Sequence, residues 1–312
     1  MWPYIVLGII LFLFLNIVLL IYICYRKTFY SKNKPIKNNQ IILPNEPAYS
    51  IYKSQIIADI EEARLRPCEK FTITSFDGLK LQGKFYEYQK NAPIELMFHG
   101  YRSNGERDMS SGIKRAFLCG HSAFIVDQRA AGSSEGHTIS FGINERYDCL
   151  YWARFVSEHF GEHIPIILAG ISMGGATVTL ASCLDLPKNV VCVLADCPFN
   201  TAGDIIKKVM VDMKLSVKLC YPFIKLGAKI FGKFDLEATS SYEAVKNAKI
   251  PIIFFHGKED TYVPYQMSEK LYDACSSMKK LVLIDNAEHG ISYLVDPDKY
   301  LKEARDFFEK VI

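Results

Sequence analysis

A serine between two glycines marks the point of this chain where chemistry is most strongly indicated. Residues 170–174 read G-I-S-M-G, with the apolar run 165–169 before them and the helix-compatible run 175–182 after them. A serine on a sharp strand-to-helix turn is a nucleophile elbow, in which glycines let the backbone bend and the helix approach the strand. Ser172 is therefore the candidate nucleophile. Since the pattern arises by chance in roughly one chain in ten of this length, other residues have to support it.

A catalytic serine needs a histidine as base and an acid that orients the histidine. In the chain order serine, acid, histidine, His289 is the one histidine that follows the last plausible acid. Asp260 comes soon after the apolar run 251–255, so we expect it at the carboxyl end of a strand. Glu259 is the alternative acid. The order and the placement together predict a triad of Ser172, Asp260 and His289.

The negative oxygen that forms during acyl transfer needs preorganised backbone N–H donors. Met173, the residue after the nucleophile, supplies one of them. The second is expected from the loop H-G-Y-R-S-N that follows the first parallel strand, where Tyr101 is the candidate. His99 precedes the nucleophile, so we expect it to shape this loop. Asp127 and Arg129 follow the next strand and are expected to fix loop geometry.

Short apolar runs separated by helical patterns are the elements that must position these residues. The runs are 94–98, 123–127, 165–169, 190–195, 251–255 and 281–284. The helical patterns are 49–65, 109–119, 143–160, 174–185, 265–277 and 297–310. A hairpin is predicted over 70–87. Continuous apolar strands alternating with helices predict an α/β fold, with a mostly parallel central sheet and helices on both faces.

One interval, between the strands at 190–195 and 251–255, is too long for a simple crossover. We predict a helical cap over about 198–247, with two or three helices that cover an apolar acyl pocket. Its stretch 204–233 carries seven lysines and two acids among apolar side chains. This composition fits a solvated helix face, and a membrane-facing or lid surface is the alternative.

The N-terminal segment is a long apolar run that differs in composition from the rest of the chain. The run from Tyr4 to Tyr25 contains no charge, and as a helix of about 33 Å it would cross a bilayer core. Basic residues between Arg26 and Lys37 follow it and none precedes it, which predicts a catalytic domain on the cytoplasmic side of the cell membrane. A cleaved signal peptide and a buried core helix are the alternatives. The predicted organisation is a single-pass anchor at 1–27, a linker at 28–48 and a catalytic domain at 49–312.

Composition excludes several other classes of function. The net charge of +3, without a basic tract interleaved with aromatic residues, gives no sign of a nucleic-acid partner. Nine cysteines without zinc-like spacing favour free thiols in a reducing compartment. No H-E-x-x-H cluster is present, and the G-x-x-x-x-G-K match at 227–233 lacks the following serine or threonine. We therefore expect neither a metal nor a cofactor.

Five segments carry a resemblance to a known family. They are H-G-Y-R-S-N, D-Q-R-A-A-G-S-S-E-G, G-I-S-M-G-G, H-G-K-E-D-T-Y-V-P and A-E-H-G. Together they resemble the α/β-hydrolase superfamily over roughly residues 68–312, and are most similar to bacterial membrane-anchored serine hydrolases of the serine aminopeptidase and BEM46-like groups. The resemblance implies the same nucleophile, acid, base and N–H donors as named above. One departure is Ala131, which stands where such proteins often carry the histidine of D-x-R-G-H-G.

The sequence thus predicts a membrane-anchored serine hydrolase. Its expected substrate is a carboxylic ester or thioester, either a small molecule or lipid-like, cleaved through an acyl-enzyme. A serine peptidase of the aminopeptidase type, with the same fold, is one alternative. A membrane-tethered binding module that does not use its triad is an alternative of another class.

Overall fold

An eight-stranded sheet forms the centre of the computed structural model, which describes residues 1–32, 41, 43 and 47–312, with the backbone alone at 47 and 48. The strands are β1 (Glu69–Thr74), β2 (Lys80–Tyr86), β3 (Ile94–Phe98), β4 (Ser122–Asp127), β5 (Ile166–Ile171), β6 (Val190–Asp196), β7 (Ile252–Gly257) and β8 (Lys279–Ile284). Their order in the sheet is β1-β2-β4-β3-β5-β6-β7-β8. Antiparallel pairing is limited to β1 with β2 and β2 with β4, and the remaining neighbours are parallel. The predicted sheet is confirmed.

Helices cover both faces of this sheet. The helices of the described residues are α1 (Trp2–Thr28), α2 (Pro47–Leu65), α3 (Gly105–Leu118), α4 (Glu145–Phe160), α5 (Met173–Ala181), α6 (Ala202–Asp212), α7 (Val217–Ile230), α8 (Ser241–Lys246), α9 (Gln266–Ala274), α10 (Ser292–Val295) and α11 (Pro297–Phe308), and α1 extends away from the sheet. Successive residues of β3 show the two faces, since Leu96 packs in one core cluster with Trp152 of α4 and Met97 in another with Ile113 of α3. All five residues of β3 are buried, which explains its continuous apolar sequence.

Helix boundaries differ from the sequence prediction at a few ends, each for a local reason. α3 begins four residues before the predicted start because the Asn104 side chain accepts a hydrogen bond from Arg107 N and caps the helix. α5 ends at Ala181, and the next residue, Ser182, bonds back to the carbonyl of Thr179 through both its N–H and its hydroxyl. α10, with four residues, is too short to show a helical period and was not predicted.

Three helices, α6 to α8, occupy the predicted cap between β6 and β7. The apolar sides of α6 and α7 cover a third core cluster, which includes Phe141, Phe199 and Met173. Tyr25 and Phe29, from the end of α1, are also part of it. A packed cluster with several aromatic side chains therefore lies beneath the cap, where the sequence predicts an apolar acyl pocket.

α1 is the one helix among the described residues that is long and apolar enough to cross a membrane, by length and composition. Its most apolar window has a mean hydropathy of 3.0 and is 6% buried, which is compatible with an anchor or a signal sequence. Phe29, just beyond it, is fully buried, and Tyr30 pairs with Thr138. The first residues of the predicted linker are thus packed on the domain, because Phe29 fills a place in its core. Residues 33–40, 42 and 44–46 of that linker lie outside the described residues.

Candidate active site

Ser172 lies on the turn between β5 and α5, with φ of 56° and ψ of −117°. A non-glycine residue seldom adopts this backbone conformation, and it costs of order 1–3 kcal/mol. The glycines around it are required by close packing. A Cβ added at Gly170 would overlap the backbone of Gly174, and one added at Gly174 would overlap the carbonyl of Phe98 in β3. The sequence therefore holds the serine hydroxyl at the carboxyl edge of the sheet, in an elbow geometry.

His289 follows β8 and joins the serine to the acid. Its Nε2 is 2.9 Å from Ser172 Oγ, and its Nδ1 is 2.7 Å from Asp260 Oδ2. With Nδ1–H donating to the carboxylate, Nε2 accepts the hydrogen bond of the serine hydroxyl, as a general base does. The structure thus brings the three predicted side chains together. The alternative acid, Glu259, has an exposed side chain and does not take the place of Asp260 at the histidine.

Asp260 is 4% exposed, yet its surroundings favour the carboxylate. Oδ1 accepts hydrogen bonds from the N–H groups of Tyr262 and Val263, at 3.0 and 2.8 Å. Burial alone would raise its pKa, but the hydrogen bonds from His256 and His289 lower the pKa to about 2. Asp260 is therefore ionised at neutral pH and is able to stabilise an imidazolium at His289.

His256 is a second histidine on this carboxylate, and no sequence motif predicted its place there. It is fully buried near the end of β7. Its Nε2 lies 2.7 Å from Val263 O and 3.2 Å from Asp260 Oδ2, while its Nδ1 lies 2.6 Å from Ser268 Oγ. A neutral ring with its proton on Nε2 satisfies all three partners. The available signal was a histidine at a strand end, four residues before the acid.

The two residues predicted to supply N–H donors, Met173 and Tyr101, lie close to Ser172. Met173 is the first residue of α5, and N–H groups in the first turn of a helix have no partner within it. Tyr101 follows Gly100, where an added Cβ would lie 3.6 Å from Ser172 Cβ. The side chain of Tyr101 turns away and donates a hydrogen bond to Thr28 O, at 2.7 Å. The loop that carries the second donor is thereby attached to the end of α1.

Hydrogen bonds fix the conformation of this loop. His99 Nε2 accepts from Gln128 N at 3.0 Å, so its Nδ1–H donates to Gly100 O at 2.8 Å. Burial lowers the pKa of His99, in keeping with a neutral ring. Gly100 N donates to Asp108 Oδ2 at 2.9 Å. His99 shapes the loop, as its position before the nucleophile suggested.

Asp127 and Arg129 also hold loops in place. Asp127 accepts hydrogen bonds from Gly105 N and Ser133 N, at 2.9 and 2.8 Å. Arg129 is buried and pairs with Asp148 at 2.6 Å. These contacts connect the loop after β4 to neighbouring elements, which matches the geometric role expected for the two residues.

A cleft of about 230 Å³ opens at the serine. Its lining combines aromatic, apolar and charged side chains with backbone. The residues are Tyr49, Gly100, Tyr101, Arg107, Asp108, Ile171, Ser172, Thr261, Tyr262, Glu288, His289 and Gly290. No residue of α6, α7 or α8 is among these lining positions of the described chain. Tyr49, which the sequence analysis did not single out, comes from α2.

One cluster near the site has metal-ligating residue types. Ligand atoms of Cys197, Asp260 and His289 lie within 4.8 Å of one another. The carboxylate and the imidazole already bond to each other, and burial raises the pKa of the Cys197 thiol well above its usual value. A neutral thiol is a poor metal ligand, so this set fits an acid–base pair beside a buried thiol better than a metal centre.

Sequence comparisons find a family model and several relatives that the chain resembles. Residues 228–298 match a family model described as serine aminopeptidase, S33. The chain is 26% identical over 226 residues to protein bem46 of Schizosaccharomyces pombe, covering 71% of this chain and 68% of that protein. It is 25% identical over 210 residues to lysophosphatidylserine lipase ABHD12 of Danio rerio, covering 64% of this chain and 52% of that protein.

A solved structure has the same overall fold as this chain. Esterase Pf2001 of Pyrococcus furiosus superimposes with a TM-score of 0.66 at 20% identity. The match covers 90% of this chain and 99% of the esterase chain. At this identity the likeness shows a common fold, the α/β-hydrolase fold.

Proposed function

We propose that this chain, which belongs to the α/β-hydrolase superfamily and is of the BEM46-like type, is a membrane-anchored serine hydrolase that cleaves a carboxylic ester or thioester. The observation that carries the proposal is the hydrogen-bonded series from Ser172 through His289 to Asp260, with distances of 2.9 and 2.7 Å. It starts from a strained serine at an elbow, where a hydroxyl is exposed to an incoming carbonyl. Relatives named as an esterase and a lipase support a hydrolase.

In the proposed reaction Ser172 Oγ attacks the acyl carbon while its proton passes to His289 Nε2. The carboxylate of Asp260 stabilises the imidazolium that results. Backbone N–H groups of Met173 and Tyr101 stabilise the oxyanion, with about 3 kcal/mol for each well-placed donor. His289 then gives its proton to the leaving alcohol or thiol. Water, activated by the same histidine, hydrolyses the acyl-enzyme and restores the serine.

The proposed substrate is a small-molecule or lipid-like acyl compound. A cleft of about 230 Å³ is smaller than the ~300 Å³ at which ordinary ligand pockets begin, so it fits the reacting part of a substrate whose remainder lies outside. The aminopeptidase alternative has one observation in its favour besides the family model. Glu288 lines the cleft beside His289, and its carboxylate could pair with the ammonium group of an aminoacyl substrate.

The proposed location is the cell membrane, with α1 as a single span and the catalytic domain on the cytoplasmic side. Arg26 and Lys27 in the last turn of α1 support this orientation, because basic residues are retained on that side. Protease treatment of intact cells is expected to leave the catalytic domain undigested. Digestion of the domain would contradict the orientation.

Labelling of the full chain with a fluorophosphonate probe tests the chemistry. We expect the wild type to be labelled, Ser172→Ala to lose labelling, and the exposed Ser133→Ala to retain it as a matched control. Absence of labelling in the wild type would favour the binding-module alternative. A panel of p-nitrophenyl esters and aminoacyl substrates then separates the two hydrolase alternatives, since turnover of the aminoacyl compounds alone would favour the peptidase.

A further inference from the structure

The cap carries a row of exposed apolar side chains that faces away from the core. On α7, Leu219, Leu226 and Ile230 are 68%, 42% and 54% exposed, and their spacing of seven and four residues puts them on one side of the helix. Three more exposed apolar side chains come shortly before α7 in the chain, one at the end of α6 and two in the turn that joins the two helices. We call the whole set the cap stripe, and its members are Val211, Met213, Leu215, Leu219, Leu226 and Ile230.

This stripe is next to the proposed membrane span. A Cβ added at Gly227 of α7 would lie about 3 Å from the carbonyl of Ile21 and from Tyr25, so the backbones of α7 and α1 are in close approach. The rings of Tyr22 and Phe231 are 5.2 Å apart. α7 therefore lies against the last turns of the apolar run, at the level where a span leaves the hydrocarbon. The exposed apolar surface of α1 and the cap stripe adjoin there.

Lysines lie close to the stripe residues along the chain. Lys208 and Lys225 pair with acids at 2.6 and 2.5 Å. Four more are exposed, and the structure gives them no ion pair among the residues it describes: Lys214, Lys218, Lys229 and Lys233. An apolar helix face with a basic margin is the composition of helices that lie in the plane of a membrane surface, where the charges attract anionic lipids.

We propose that the cap stripe is inserted in the interface of an anionic lipid bilayer, so that the domain contacts the membrane at α7 as well as through α1. This inference rests on the proposed anchoring by α1. A bilayer suits the stripe better than a second copy of the chain. In a two-fold contact the same surface meets itself, which would bring the unpaired lysines of both copies together. Against a bilayer the lysines meet phosphate.

Photocrosslinking of the full chain tests the proposal. The protein is reconstituted in nanodiscs of phosphatidylcholine and phosphatidylglycerol at 7:3, with p-benzoylphenylalanine in place of Leu219 or Leu226. The same residue in place of Leu13 in α1 reports the span, and in place of Leu118, which is 48% exposed at the end of α3, it gives the matched control. We expect lipid adducts at 219 and 226 at yields at least fivefold above those at 118.

The possible failures are distinguishable. Adducts at position 13, with yields at 219 and 226 no higher than at 118, would overturn the membrane contact of the stripe and leave the anchor in place. Absence of adducts at position 13 as well would overturn the anchoring and this inference together. Crosslinks from position 219 to a second protein chain would show that the stripe is a protein interface, which also overturns the proposal.

The role of charge is tested by neutralising the four unpaired lysines to glutamine: Lys214→Gln, Lys218→Gln, Lys229→Gln and Lys233→Gln. We expect the adduct yield at position 219 to fall at least threefold in the anionic nanodiscs, towards the yield in phosphatidylcholine alone. A control variant changes four exposed lysines on other elements of the fold: Lys90→Gln, Lys188→Gln, Lys270→Gln and Lys310→Gln. An unchanged yield in the first variant would contradict the requirement for anionic lipid.

Discussion

The polar edge of the sheet, which carries the proposed triad, and the cluster beneath the cap are close neighbours that are held in place in different ways. At the polar edge, hydrogen bonds of 2.7 to 2.9 Å fix His289 and Asp260. Beneath the cap, aromatic packing holds the side chains in place. The ring centroid of Phe29 lies 5.2 Å from that of Phe234 and 5.9 Å from that of Phe141. The first region depends on the directions of a few polar atoms, whereas the second depends on filled volume. Substitutions at the polar edge should therefore act mainly on the catalytic rate, and substitutions beneath the cap mainly on stability.

The largest expected effect is on rate, at the polar edge. Asp260→Asn keeps the shape of the side chain but removes the charge that orients and stabilises His289. We expect kcat to fall about 10⁴-fold while the protein stays folded, as measured by ester hydrolysis and circular dichroism. Glu259→Gln, one residue earlier and exposed, is the matched control and should change kcat by less than about twofold. A large loss of kcat in Glu259→Gln would indicate that Glu259, and not Asp260, is the acid of the triad.

At the apolar cluster, Phe29→Ala is expected to act on stability. Removing a fully buried ring leaves a cavity, at a cost of about 3–5 kcal/mol in the free energy of unfolding. Denaturant unfolding in detergent measures this loss, and kcat should fall by less than about tenfold at temperatures where the variant is folded. The control is Phe12→Ala, because Phe12 is 65% exposed on α1. Equal stability of the two variants would show that the end of α1 is not part of the folded domain.

The dependence of stability on pH should separate the two regions again. The pKa of Asp260 is lowered from 3.8 to about 2, so its contribution to stability is present above about pH 4 and is lost as the pH falls towards 2. A shift of this size corresponds to about 2 kcal/mol. We expect the free energy of unfolding to fall more steeply from pH 5 to pH 2 in the wild type than in Asp260→Asn. Phe29→Ala should keep the slope of the wild type.

The smallest expected effect lies where the two regions meet. Tyr101→Phe removes the hydrogen bond to Thr28 O but keeps the ring stacked on Phe141, with centroids 4.9 Å apart. We expect a loss of about 1 kcal/mol in stability and a decrease of about threefold in kcat, because the oxyanion loop loses one support. Tyr88→Phe, at an exposed position, is the control. A rate unaffected by Tyr101→Phe would mean that the loop keeps its geometry without α1.

The polar edge could be predicted largely from the sequence because each of its residues follows a strand. Ser172, Asp260 and His289 stand in short motifs just after apolar runs, and the carboxyl ends of parallel strands meet at one edge of the sheet. His256 was missed because its partners, Val263 and Ser268, come together through the turn after β7 and not through a spacing rule. The roles of these residues in catalysis stay predictions until the variants above are measured.

The contact between α1 and the cap could not be predicted in this way. Tyr25 and Gly227 are about two hundred residues apart, and α1 is apolar on every side, so its sequence does not reveal which face meets protein. Phe29 and Tyr30 follow a membrane-like run and precede polar residues, which makes them look like the start of a linker. Packing against Phe141 and Phe234, which only the tertiary structure brings near, gives them their place in the core.

The hydrogen bonds of Tyr101 and Arg102 to the carbonyls of Thr28 and Lys27, at 2.7 and 2.6 Å, leave no slack between α1 and the domain. These contacts fix the orientation of the domain relative to α1. The direction in which the cleft opens relative to the axis of α1 is consequently determined by the fold and not by the length of a flexible linker. A chimaera in which an unrelated apolar helix replaces α1 would therefore have to retain residues Tyr25 to Tyr30 to preserve the orientation of the cleft relative to that helix.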